Sequence, residues 1–98
     1  MTFDEIYDRF AGASATVAGK KVKFDFGDDG KIFLDGVAGA VSKDDAAADT
    51  TIKVKLADFI DMAGGKLDPT AAFMQGKLRV EGDMGVAMQL QSVMAKLR

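Results

Sequence analysis

This chain of 98 residues contains neither cysteine nor histidine. Without cysteine there is no disulfide framework, no thiolate nucleophile and no zinc–thiolate site. Without histidine the commonest general base and the commonest metal ligand are also missing. Neither sign of charge dominates, because 13 basic and 15 acidic side chains leave a formal net charge of -2. Such a balance gives no overall attraction to nucleic acid or to an anionic membrane. No apolar run approaches the roughly 18 residues of a membrane-spanning helix. The opening MTFDEIYDRF is charged where a secretory leader needs a basic stretch and then an apolar one. These absences predict a soluble protein of the reducing cytoplasm, folded as one domain over residues 1–98.

What is present divides by period. Thr2 and Glu5 fit a capping box at a helix start. Phe3, Ile6, Tyr7 and Phe10 then recur at helical spacing and fade near Gly12. From Lys20 the period changes to two, with Val22, Phe24 and Phe26 alternating with Lys21, Lys23 and Asp25. Asp29-Gly30 is a turn dipeptide, and residues 31–35 read as the returning strand of a hairpin. Residues 37–42 form a weaker strand candidate, and Ile52, Val54 and Leu56 a stronger one. Leu56, Phe59, Ile60 and Ala63 have helical spacing, closed by Gly64-Gly65. Asp68-Pro69 opens a short helix through Gln75, stopped by Gly76. Leu78 and Val80 alternate with charges in a last strand, and Gly82-Asp83 caps a last helix. The order predicts a two-layer α+β domain with a mixed sheet.

Familiar chemistry fails residue by residue. Asp25, Asp29 and Gly30 match three calcium-loop positions, but Gly27 and Gly36 stand where carboxylates are required. Gly-Lys pairs at positions 19, 65 and 76 lack the spacing and hydroxyl of a phosphate loop. Ser14, Ser42 and Ser92 have no histidine to activate them. The carboxylates fall mostly in turns or at outward strand positions, and Lys20, Lys21, Lys23, Lys53 and Lys55 read as outward or edge charges. No catalytic residue, metal site or cofactor is expected, and the chain is not read as an enzyme.

The last helix raises a different issue. At about 100° per residue, Val86, Leu90, Val93 and Leu97 form one stripe, while Met84, Met88 and Ala95 fall on the opposite side. One stripe suffices to dock a helix on a core. A second needs another helix, a partner subunit or a ligand. Spacing alone makes Phe73, Met74, Met84 and Met88 core residues, but methionine also suits surfaces that adapt to varied apolar guests.

Residues 65–91, GKLDPTAAFMQGKLRVEGDMGVAMQLQ, closely resemble the signature stretch of the sterol carrier protein 2 family. That signature runs through Gly-Lys, Asn/Asp-Pro, Ala-Phe, Gly-Lys-Leu, Gly-(Asn/Asp)-Met-Gly and Leu-Gln in the same order. The resemblance implies an α+β fold whose five-stranded mixed sheet and helices enclose an apolar tunnel. It also implies a non-catalytic protein that binds or carries a fatty acid, a fatty acyl-CoA or a sterol-like lipid. Lipid-binding residues expected on this basis are Phe59, Phe73, Met74, Met84, Met88 and Gln91, with Lys77, Arg79 or Gln91 at the polar head. Expected partners are a small-molecule lipid, a membrane touched transiently and a second copy in a homodimer, with no nucleic acid. Ala95-Lys96-Leu97 is followed by Arg98, so a peroxisomal tripeptide is not at the end, and a bacterial-type cytoplasmic protein is expected. The short chain and modest first helix point to a smaller or more open tunnel. The alternative is a non-catalytic interaction or dimerisation domain using the same apolar surface.

Overall fold

The hairpin expected at Asp29-Gly30 forms the centre of the sheet. In the computed structural model, which describes residues 2–13 and 16–89, β1 (Lys21–Asp25) and β2 (Lys31–Asp35) pair antiparallel. Val22 faces Leu34 and Phe24 faces Ile32 across the pair. A single 3₁₀ turn, Gly27–Asp29, joins the strands, and the Asp25 carboxylate accepts the Gly27 amide at 2.8 Å. β3 (Ala40–Ser42) adds antiparallel outside β2 and is shorter than the predicted 37–42. The Asp35 side chain captures the amides of Val37 and Ala38, each at 2.9 Å, which holds residues 36–39 in a turn instead. β4 (Thr50–Val54) then lies parallel to β1, and β5 (Leu78–Gly82) antiparallel to β4. The mixed five-stranded sheet runs in the order β3-β2-β1-β4-β5.

Four helices are described: α1 (Phe3–Ala13), α2 (Leu56–Ala63), α3 (Pro69–Met74) and α4 (Met84–Ala87). Their ends are set by local chemistry. The Thr2 hydroxyl accepts the Glu5 amide at 3.3 Å and donates to the Glu5 carboxylate at 3.4 Å, so Glu5 reaches the hydroxyl rather than the Thr2 amide. The Asp68 carboxylate takes the amides of Thr70 and Ala71, and the Asp83 carboxylate those of Gly85 and Val86. After α3, the Lys77 amide donates to the Ala72 carbonyl (2.9 Å) and the Gly76 amide to the Phe73 carbonyl (3.2 Å). Gly76, at φ 74°, supplies the left-handed residue that this closing motif needs.

The alternation along the strands sorts the two faces. Val22, Phe24, Ile32, Leu34, Ile52, Val54 and Leu78 are buried in one core with Ile6 and Phe10 of α1 and Phe59 and Met62 of α2. Thr50, fully buried, donates its hydroxyl to the Asp83 carbonyl at 2.7 Å and ties β4 to the start of α4. On the opposite face Lys23 is 2.8 Å from Asp45 and also donates to the Ala46 carbonyl, which clamps the β3–β4 connection against β1. That hydrogen bond holds the Asp45 carboxyl below the ordinary carboxylate range, against a smaller opposing effect of desolvation. Phe33, which faces Lys23 across the hairpin, is buried on this side. Among the described residues no helix is long and apolar enough to cross a membrane.

Candidate functional site

Two features remain once the core is assigned, and both lie around β5. One is apolar. Met74 is 80% exposed and Phe73 47% at the end of α3, while Met84 and Met88 are 50% and 82% exposed on and just after α4. Val86, on the same short helix, is 4% exposed and packs into the core. α4 therefore docks by Val86 and leaves Met84 and Met88 exposed; it ends at Ala87, with Met88 and Gln89 in a turn, where the sequence pattern expected one helix to continue. Leu90, Val93, Ala95 and Leu97, which would continue the stripes, and Gln91, the expected polar contact, lie outside the described residues.

Phe59 is placed differently from the other expected site residues. It is fully buried, with its ring 5.6 Å from Phe10, 5.4 Å from Phe24 and 5.2 Å from Phe26, centre to centre. The edge-on contacts to Phe24 and Phe26 have the geometry that aromatic quadrupoles favour. The structure thus groups Phe73 with Met74 on one helix and Met84 with Met88 on another, and sets Phe59 inside.

The second feature is a groove of about 300 Å³ lined by Asp25, Phe26, Gly27, Lys53, Val54, Lys55, Gly76, Lys77 and Arg79. It sits where β1 and β4 end and β5 begins. Four cations and one carboxylate line it, so it is locally positive in a chain whose net charge is -2. Lys53 stands directly opposite Arg79 in the β4–β5 register, a like-charge pair that weakens a sheet. Lys53 is 3.2 Å from Glu81, whereas Lys55, Lys77 and Arg79 form no ion pair among the described residues. The groove is not purely polar, since Phe26 and Val54 reach it from the core and Phe26 touches Phe59.

The family resemblance led to Lys77, Arg79 or Gln91 as head-group candidates, while Lys53 and Lys55 read as ordinary outward charges. The signal that brings the four together is strand register, which pairs residues 53 and 79 and is invisible to local periodicity. Chemically, the arrangement can receive an anion beside apolar surface. No group of three or more acidic, histidine or cysteine side chains among the described residues is placed to hold a metal.

Comparison with known proteins bears on these features. A family model described as the SCP-2 sterol transfer family matches residues 5–95. Over 51 residues the chain is 49% identical to hydroxysteroid dehydrogenase-like protein 2 of Danio rerio, taking in 52% of this chain and 12% of that protein. It is 41% identical over 58 residues to sterol carrier protein 2 of Homo sapiens, 59% of this chain and 11% of that one. The chain thus spans a small fraction of the length of these relatives. Among solved structures, sterol carrier protein 2 from Aedes aegypti in complex with palmitate aligns with a TM-score of 0.78 at 20% identity, covering 97% of this chain and 96% of that one. The fold is shared.

Proposed function

The chain belongs to the SCP-2 sterol transfer family, and from that premise we propose that residues 1–98 act as one lipid-binding domain that carries its ligand without transforming it. The ligand class is a long-chain fatty acid, its acyl-CoA ester or a sterol-like lipid. Its tail occupies an apolar tunnel that opens beside α3 and α4. Phe73, Met74, Met84 and Met88 line the mouth, Phe59 forms the inner end, and the candidates for the polar head are Lys77, Arg79 or Gln91, the last outside the described residues.

The observation that carries this proposal is the exposure of four large apolar side chains on two short helices while Val86, beside them, is buried. Flexible thioethers at a surface adapt to a chain of variable length. Energetics permit binding. Burying about 12 methylenes at ~0.8 kcal/mol each yields ~10 kcal/mol. Association costs of ~4 kcal/mol leave a net near ~6, which corresponds to a dissociation constant of roughly tens of micromolar before any head-group contact. Loading and unloading would occur during transient contact with a membrane.

The same exposed methionines favour a second reading, in which two copies of the chain meet through this surface. Native mass spectrometry of protein purified from cells separates the two. Co-purified lipid on a monomer is expected, and an empty, stable dimer would replace the carrier by an interaction domain.

A further inference from the structure

We propose that β5 is the edge by which two copies of this chain associate, each β5 pairing antiparallel with the other about Val80 so that the sheet runs through both. The partner is a second copy of the chain, and the contact is reversible. The proposal rests on the strand's open edge and its charges, independently of the lipid-carrying reading, and it uses a different surface from the exposed methionines.

β5 ends the sheet order β3-β2-β1-β4-β5, and beyond its pairing with β4 no backbone hydrogen bond of residues 78–82 is made among the described residues. An antiparallel strand paired on one side turns the N–H and C=O of alternate residues outward, where another strand can join it. The opposite edge is less able to do so. β3 has only three residues, and the Tyr7 hydroxyl already donates to its Val41 carbonyl at 3.1 Å.

Charge selects the partner. Residues 77–83 read KLRVEGD, with two cations before Val80 and two carboxylates after it at mirrored positions, all four exposed. About a two-fold axis at Val80, Lys77 faces the partner's Asp83 and Arg79 faces the partner's Glu81, so opposite charges meet at every charged position of the seam. Lys77 and Arg79 form no ion pair among the described residues, and Arg79 stands opposite Lys53 across β4. The partner's Glu81 supplies the carboxylate that Arg79 lacks within its own chain. Glu81 and Asp83 already lie 3.2 Å from Lys53 and 3.8 Å from Lys20, in exposed pairs that leave room for a second cation. The register is selective. An antiparallel slip of two residues sets Arg79 against Arg79 or Glu81 against Glu81, in-register parallel pairing sets like against like throughout, and a slip of one turns the charged rows to opposite faces. One five-residue strand buries far less than the ~1,000 Å² of a stable dimer, so dilute protein stays monomeric and the pair forms as concentration rises.

The test is sedimentation velocity of the full chain from micromolar to millimolar concentration. The wild type should shift from monomer toward dimer, less so as salt rises. Arg79→Glu alone and Glu81→Arg alone each set like charges opposite one another on both sides of the axis, and each should weaken association at least about tenfold. An equimolar mixture of these two variants should associate again, because each then meets its opposite charge, and so should the exchanged double variant Arg79→Glu/Glu81→Arg. Circular dichroism checks that each variant is folded. Arg79→Gln or Glu81→Gln stands in for a reversal that does not fold, and should itself weaken association. No concentration-dependent association of the wild type, undiminished association in the single variants, or no recovery in the mixture and the exchanged variant would overturn the proposal. So would association lost in Met84→Ser/Met88→Ser and kept in Arg79→Glu, which would move the contact to the apolar surface.

Discussion

Val86 and Met88 stand two positions apart yet do opposite things, which makes them a paired test of the site. Val86 is 4% exposed and Met88 82%. Replacing Val86 by glutamine forfeits about 1.5 kcal/mol of burial and leaves a buried amide without a partner, at about another 1–3 kcal/mol. A total near ~3 kcal/mol is a large share of the ~5–15 kcal/mol available to a domain, and it should lower the thermal midpoint by more than about 10 °C. Met88→Gln alters an exposed position, so its stability should stay within about 0.5 kcal/mol of wild type. Its effect should fall on binding. If a lipid tail covers the Met88 side chain, the exchange removes about 1.5 kcal/mol of apolar contact, or roughly tenfold in affinity. Urea unfolding followed by far-ultraviolet circular dichroism gives the stabilities, and displacement of a fluorescent fatty acid gives the affinities. Equal destabilisation of the two variants, or unchanged affinity in Met88→Gln, would refute the division of this helix into a packing side and a binding side.

Two further predictions follow from backbone and electrostatics. At Gly82, where φ is 104°, an added Cβ would lie 2.3 Å from the Asp49 carbonyl oxygen, so Gly82→Ala should cost more than about 2 kcal/mol in denaturant unfolding. A loss below about 0.5 kcal/mol would mean that the β4–β5 seam is looser than drawn. Asp45 has its carboxyl lowered from 3.8, chiefly by the hydrogen bond from Lys23, so its stabilising effect is present above that value and lost as pH falls through the lower, folded one. Asp45→Asn should therefore flatten the acid limb of the stability–pH curve, and an unchanged acid limb would remove Asp45 from the account.

The parts of the fold legible in the sequence are those that local chemistry decides. The period-two stretches become β1, β4 and β5 because one face must be buried, and Asp68 and Asp83 cap α3 and α4 because their carboxylates take adjacent amides. The third strand came out shorter because Asp35 competes for the amides that pairing would use, a contact two and three residues away that strand propensity does not register. The run Ile32-Phe33-Leu34 already breaks the alternation, and all three residues are buried, Phe33 on the face opposite the other two. The parallel pairing of β1 with β4 joins segments nearly thirty residues apart, and nothing local specifies it.

The basic groove belongs to this non-local part, and yet it is not accidental. β5 directs Leu78 and Val80 toward the core and Arg79 and Glu81 away from it. A slip of one residue against β4 would drive Arg79 inward and Leu78 into water, so burial alone fixes the register. Once it is fixed, Arg79 must stand opposite Lys53, and Lys77 must lie at the strand's open end. The like-charge pair is thus a consequence of where the leucine packs. The strand is also bracketed by exposed apolar side chains, with Phe73 and Met74 of α3 before it and Met84 and Met88, on and just after α4, beyond it.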